Sequence, residues 1–379
     1  MKLNDQTIEK FNQNLDRSER RQKISSDIRS KGVNSVASDP KVFEDIKQSK
    51  SVSNVNSWLD VVLELNNIEM NQSFSKSYLL FWMKLEQSMF FLNKISDLSE
   101  LDPEEGLLSK YLKNPLKVFN GFPFIVDLVN KYGLVLKNEM PDVFHTNNTV
   151  DLDQILSRKL RQSAALIRRL RETRNEEAFE MGFEKCMNDI YALLSYVFGE
   201  PSKSERYFPK SIFKVILNAP VEVYKVDTRF EIESIINSRA IYSFMNISNK
   251  SMLHMVYDEI KKGCTIWASC DIDSIMRNGP CLLDDELIDL NETLATSCDL
   301  DKGKRIRYGE SGRPGIVEIV GLDSDNNRLI INRNSQTFYM TENWFLEHVY
   351  LIILKDLVIK ETNIQRLEHF SPIVELLNT

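Results

Sequence analysis

Thiols are missing from the first 185 residues of this 379-residue chain: Cys186, Cys264, Cys270, Cys281 and Cys298 are its five cysteines. Nothing before residue 186 can therefore supply a thiolate nucleophile. Histidine is equally scarce, at four (His145, His254, His348 and His369), with none between His254 and His348. Neither residue type shows metal-ligand spacing, so no metal or other cofactor is expected. The odd, irregularly spaced cysteines contain no CxxC pair or disulfide ladder, which favours a reducing compartment. Long apolar runs are absent; stretches such as Val349–Leu354 are far too short to span a bilayer. The N-terminal stretch is charged and has no signal-peptide core, so a cytoplasmic protein without a membrane partner is expected. Basic excess is lacking as well: the net charge of -7 argues against a general nucleic-acid footprint. No internal repeat or low-complexity segment is evident.

What is present is an ordinary globular composition, 42% hydrophobic and 27% charged, on a chain long enough for two lobes. Residues 1–50 are polar, with a short amphipathic helix over Thr7–Leu15, and read as an arm. Residues 51–201 read as mostly helical. A helix opens at Ser57, placed as N-cap, with Trp58, Leu59, Val61, Val62, Leu65 and Ile68 on its apolar face. A second core helix follows from Phe74 to Ile95. Phe122–Tyr132 reads helical and stops at Gly133. Leu152–Arg174 is a basic helix whose buried stripe is Leu156, Leu160, Ile167 and Leu170; its charges read as a solvated face partnered by nearby glutamates rather than a nucleic-acid site. Ala178–Phe198 is the last helix of this half.

After Pro201 the texture changes. Short strands are expected at Ile212–Leu217, Val221–Val226, Ala240–Met245, Cys264–Cys270, Gly315–Leu322, Arg328–Asn332, Thr337–Met340 and Val349–Leu354. Helices are expected at Ser251–Lys262 and Thr341–His348. This is an α+β class, with a helical lobe over 51–201, a β-rich lobe over 202–360 and a tail over 361–379.

Several short stretches, in order, carry a family resemblance. They include Lys31-Gly-Val-Asn-Ser-Val-Ala37, Phe74-Ser-Lys-Ser-Tyr-Leu-Leu-Phe-Trp-Met-Lys-Leu-Glu86, Lys131-Tyr-Gly-Leu-Val135 with Met140-Pro141, and Ile190-Tyr191 to Gly199-Glu-Pro201. Asn218-Ala-Pro220, Trp267 with Cys270-Asp271, Tyr308-Gly-Glu-Ser311 and Trp344-Phe345 continue the series. With them the chain resembles the aminopeptidase C and bleomycin hydrolase family. The resemblance implies a papain-like two-lobed fold, with a helical lobe and a β-barrel-like lobe, and a hexameric assembly. It also implies a thiol peptidase site: a Cys opening the central helix, a Gln separated from the Cys-Trp pair by five residues, a His, and an Asn that orients the His.

Carried over one position at a time, the nucleophile falls on Ser57, the oxyanion Gln on Ser51, the His on Gly315 and the Asn on Arg333. Asn332 or Asn334 takes the last place if the register slips by one. The Trp is retained as Trp58, which the resemblance places in the substrate cleft. A glycine pair on the cleft wall falls on Phe119 and Asn120, whose side chains would crowd the space a peptide occupies. Ser57 lacks a base in register. His348 falls where the family has an aromatic residue and, like His145, His254 and His369, reads as a packing or surface residue. Cys270 reads as a small buried residue. Whether Thr379 reaches the cleft, as the family's terminal carboxylate does, is left open.

The expectation is an inactive homologue of the family, with no catalytic residue retained. It would bind a peptide, an active peptidase relative or another protein, or serve as a structural subunit, and would assemble as a homo-oligomer. The alternative is a papain-fold enzyme reusing the old cleft for non-thiol hydrolase or transferase chemistry, with Ser57, Arg313, Arg333 or Glu318 as its polar groups.

Overall fold

The structure, a computed structural model, describes residues 55, 57–116, 121–209, 213–234, 236, 241–271, 282–287, 300–311, 315–333, 336–355 and 363–367. Ser51, Phe119, Asn120, Arg313, Asn334, Thr379 and the Thr7–Leu15 helix expectation lie outside them. The described residues divide into two units: one of 55–215, 229–244, 355 and 363–367, the other of 216–228 and 245–354.

The first unit is built on helices. α1 (Trp58–Met70) and α2 (Lys76–Asp97) both begin at serine N-caps, Ser57 and Ser75. These hydroxyls accept backbone N–H bonds that a helix start would otherwise leave open. α1 ends where Asn71 takes a left-handed conformation, φ 50°, which asparagine tolerates better than most residues. α2 forms the core: Tyr78, Phe81, Leu92 and Ile95 have no exposed surface. Each such burial contributes roughly 1.5–3 kcal/mol. Its N-terminus is also held from a distant loop, where Asp142 Oδ1 accepts the N–H groups of Lys76 (3.1 Å) and Ser77 (3.2 Å).

α3 (Gly106–Lys113), α4 (Phe122–Tyr132), α5 (Phe144–Asn147), α6 (Val150–Glu172) and α7 (Glu176–Phe198) complete the helical part. α6 and α7 pack on α2 and on each other. The basic residues of α6 are more engaged than a solvated face would be. Arg161 donates to the carbonyls of Leu112 (2.8 Å) and Lys113 (2.9 Å) at the end of α3, and Arg168 to that of Leu101 (2.9 Å). Arg171 pairs with Glu176 at 3.0 Å and lies 3.4 Å from the centre of the Phe179 ring. These residues close neighbouring chain ends, a use the helix sequence alone does not reveal.

In the second unit, β4 (Ile266–Cys270), β5 (Leu282–Leu283), β6 (Gly315–Asp323), β7 (Arg328–Arg333), β8 (Gln336–Thr341) and β9 (Val349–Lys355) pair in the order β9-β4-β6-β7-β8-β5. The β6–β7–β8 run is an antiparallel meander. α8 (Asn249–Lys261) and α10 (Glu342–His348) pack together, and α8 also packs on β4 and β6. α9 (Lys302–Tyr308) starts at Asp301, whose side chain accepts the N–H of Lys304 at 2.8 Å. β1 (Phe213–Leu217), β2 (Thr228–Glu233) and β3 (Ile241–Asn246) precede these, and β10 (Ile364–Arg366) pairs parallel with β2.

Two sequence expectations are corrected. Val221–Val226 is not a strand but a turn, with Val223 and Val226 64% and 45% exposed; the strand starts later, at Thr228. Pro220 precedes the turn, and Asp227 at φ 59° redirects the chain into β2. Ile68 is 70% exposed instead of belonging to the buried face of α1, which is completed by Leu63 and Asn66.

Candidate functional site

Ser57 sits in the first unit, extended at φ -148° and ψ 160°, one residue before α1. Its Oγ accepts the Asp60 N–H at 3.3 Å and donates its proton to Asp60 Oδ2 at 2.8 Å. Asp60 Oδ1 in turn lies 2.5 Å from Lys76 Nζ. The hydroxyl proton is thus aimed at a carboxylate that already has an ammonium partner. Trp58 beside it has no exposed surface and meets Phe122 edge-on at 5.7 Å, so it packs the interior of the unit.

Gly315 and Arg333 lie in the second unit, on neighbouring antiparallel strands. Gly315 opens β6 opposite Cys270, and Arg333 closes β7. Residues directly opposite in a ladder point to the same face, and successive residues alternate. Cys270 pairs with Gly315, and Asn332 pairs with Glu318. One further step along the ladder puts Arg333 beside Val317, on the face shared by Cys270 and Gly315. Asn332 lies on the opposite face, where its Oδ1 accepts from Thr337 Oγ1 at 3.0 Å. Of residues 332 and 333, then, only Arg333 shares the face of Gly315.

Cys270 is completely buried, with its Sγ 3.7 Å from the Gly315 carbonyl oxygen. Burial pushes its thiol well above the ordinary range, and the Arg333 guanidinium acts in the opposite, lesser sense. A protonated buried thiol is inert, as expected for a small packing residue. His348 stacks on Trp344 at 4.7 Å and lies 2.8 Å from Asp285 Oδ1. His254 bonds the Lys250 carbonyl at 2.7 Å, one turn back in its own helix. Among the described residues, no group of three His, Cys, Asp or Glu side chains is placed to hold a metal ion. No described helix is long and apolar enough to cross a membrane.

The motif Cys270-Asp271 holds something its sequence did not suggest. Asp271 Oδ2 accepts from Ser311 Oγ at 2.9 Å and from the Tyr350 hydroxyl, and Arg305 Nε lies 3.7 Å away. Three separate chain segments therefore meet in a largely buried polar group beside the Gly315 end of the sheet. No local spacing announces it, because its members lie up to 79 residues apart.

The sequence matches the family model described as the Peptidase C1-like family at residues 2–210 and 210–378. The chain belongs to this family. Among curated proteins it is 23% identical to an aminopeptidase C of Listeria innocua over 338 residues, covering 78% of this chain and 74% of that one. A mouse (Mus musculus) bleomycin hydrolase is 25% identical over 350 residues, covering 79% and 76%. An aminopeptidase W of Lactobacillus delbrueckii is 22% identical with 93% of both chains covered. The solved structure of PepW from Lactobacillus rhamnosis superposes with a TM-score of 0.75 at 16% identity, covering 98% of each chain. The fold is accordingly the α+β papain-like fold that the resemblance implied.

Proposed function

We propose that this Peptidase C1-like chain is an inactive homologue, a pseudoenzyme that acts as a peptide- or protein-binding, regulatory or structural subunit. The observation that carries the reading is the state of Ser57. At the position assigned to the nucleophile stands a hydroxyl engaged as a helix cap and bonded to Asp60. The other assigned positions point the same way: Gly315 has no side chain to serve as a base, and Arg333 is a fixed cation where a neutral amide would orient one. Sequence supports it independently of register, since no cysteine precedes Cys186 and no histidine lies between His254 and His348.

The relatives' names describe peptidases, and from them this reading takes only the scaffold and the kind of partner: a peptide, an active peptidase relative, or further copies in a hexamer. We place it in the cytoplasm on the same reading. Non-thiol chemistry in a reused cleft has less support, because the Asp60 carboxylate that accepts from the Ser57 hydroxyl is already paired with Lys76. The test is affinity capture from the native host with mass determination of the intact complex. A defined peptide or an active peptidase relative bound to the chain supports the proposal. A lone chain, with no bound peptide, protein or second copy, contradicts it.

A further inference from the structure

Lys302, the first residue of α9, is 3% exposed. Its Nζ donates to the carbonyls of Leu346 (3.0 Å) and Val349 (2.6 Å), where α10 passes into β9, and lies 5.1 Å from the centre of the Tyr350 ring. Among the described residues no carboxylate comes within 4.0 Å of it.

The charged groups facing it are committed elsewhere. Glu347, on α10, lies 3.6 Å from Arg305 Nη2, and Asp271, at the end of β4, lies 3.7 Å from Arg305 Nε. On β9, the Tyr350 hydroxyl bonds Asp271, and on α10 His348 pairs with Asp285. On α9 itself Asp301 pairs with Lys304, while Arg305 is a second cation one turn from Lys302. The ammonium thus loses its water, gains two neutral acceptors and a ring face, and sits near a like charge. Two carbonyls do not replace the hydration of a buried ion.

We propose that Lys302 is a titrating strut: the folded unit favours its neutral amine, so the sheet end that carries Gly315 and Arg333 weakens as the medium is acidified from alkaline pH down to neutrality. Burial, opposed by the Glu347 and Asp271 carboxylates and reinforced by Arg305, lowers the amine from its ordinary 10.5 to about 7. Between those values the unfolded chain holds one proton more than the folded one. Stability therefore rises with pH across the window, by about tenfold in the unfolding constant per pH unit. Below about pH 7 both states are protonated, and the full penalty is present. The coupling reaches the sheet end because Arg305, Asp271, Tyr350 and Ser311 form one bonded group, with Asp271 next to Cys270.

The experiment is urea denaturation of the full chain at several pH values between about 6 and 9, beside Lys302→Met, which removes the proton site at similar volume. The expected result is an unfolding constant about fiftyfold smaller at pH 9 than at pH 7 in the parent, with the variant lacking that added slope. A second readout needs no foldable variant: ¹³C-labelled lysine resonances of the parent should contain one that titrates near neutrality. Parallel pH slopes in parent and folded variant would overturn the proposal. So would a lysine set that titrates entirely above about pH 9.5 in the folded parent.

Discussion

At Ser57 a single hydroxyl carries both a structural and a chemical argument. A cap hydroxyl that accepts the Asp60 N–H and donates to Asp60 Oδ2 holds the first turn of α1 closed. Ser57→Ala should cost about 1 kcal/mol of stability, as the loss of an N-cap does, measured by urea denaturation. Ser57→Cys would restore a thiol at the helix start. Yet Gly315 would still present no imidazole, so we expect no hydrolysis of aminoacyl amides by that variant in a chromogenic assay. Appearance of activity on this one change would mean that another group already serves as base. The residue identities at 57, 315 and 333 were legible in the sequence, as was the cap at Ser57. The facing of Arg333 and Gly315 was not, because it depends on the strand register between β6 and β7.

The elements were legible wherever periodicity was strong and long. α1, α2, α4, α6, α7 and α8 follow apolar spacing on one face, and β6 to β9 follow short β-branched and aromatic runs bounded by turn residues. β2 was missed although Thr228–Glu233 alternates. The valines of residues 221–226 give the stronger strand signal, but Pro220 and the left-handed Asp227 make that stretch a turn. β5 and β10, of two and three residues, carry too little pattern to find. α9 was missed because its buried residues are Lys302, Gly303, Arg305 and Ile306, which do not read as an apolar face. Its packing explains the glycine: a Cβ at Gly303 would lie 2.3 Å from the Pro220 carbonyl oxygen, a backbone atom with little freedom to yield. Gly303→Ala should therefore destabilise by about 1–3 kcal/mol. Gly182→Ala meets only the end of the Leu170 side chain and should cost clearly less. Thermal denaturation of the two variants side by side reads the difference.

For the molecule as a whole, membership of the Peptidase C1-like family establishes scaffold and ancestry but not activity, because function resides in the site and not in the fold. A superposition covering 98% of both chains at 16% identity is what a retained fold with diverged side chains looks like. The order of weak motifs from Lys31 to Trp344 made the family readable from sequence. The buried group around Lys302 and Asp271 was hidden, because burial and long-range contact create it. The proposed pseudoenzyme role requires the absence of thiol peptidase chemistry. Its most direct test is the hydrolysis of aminoacyl 4-nitroanilides by the purified full chain under reducing conditions, with Ser57→Ala as the matched control. We predict no turnover above buffer for either protein; turnover by the parent that Ser57→Ala abolishes would contradict the account.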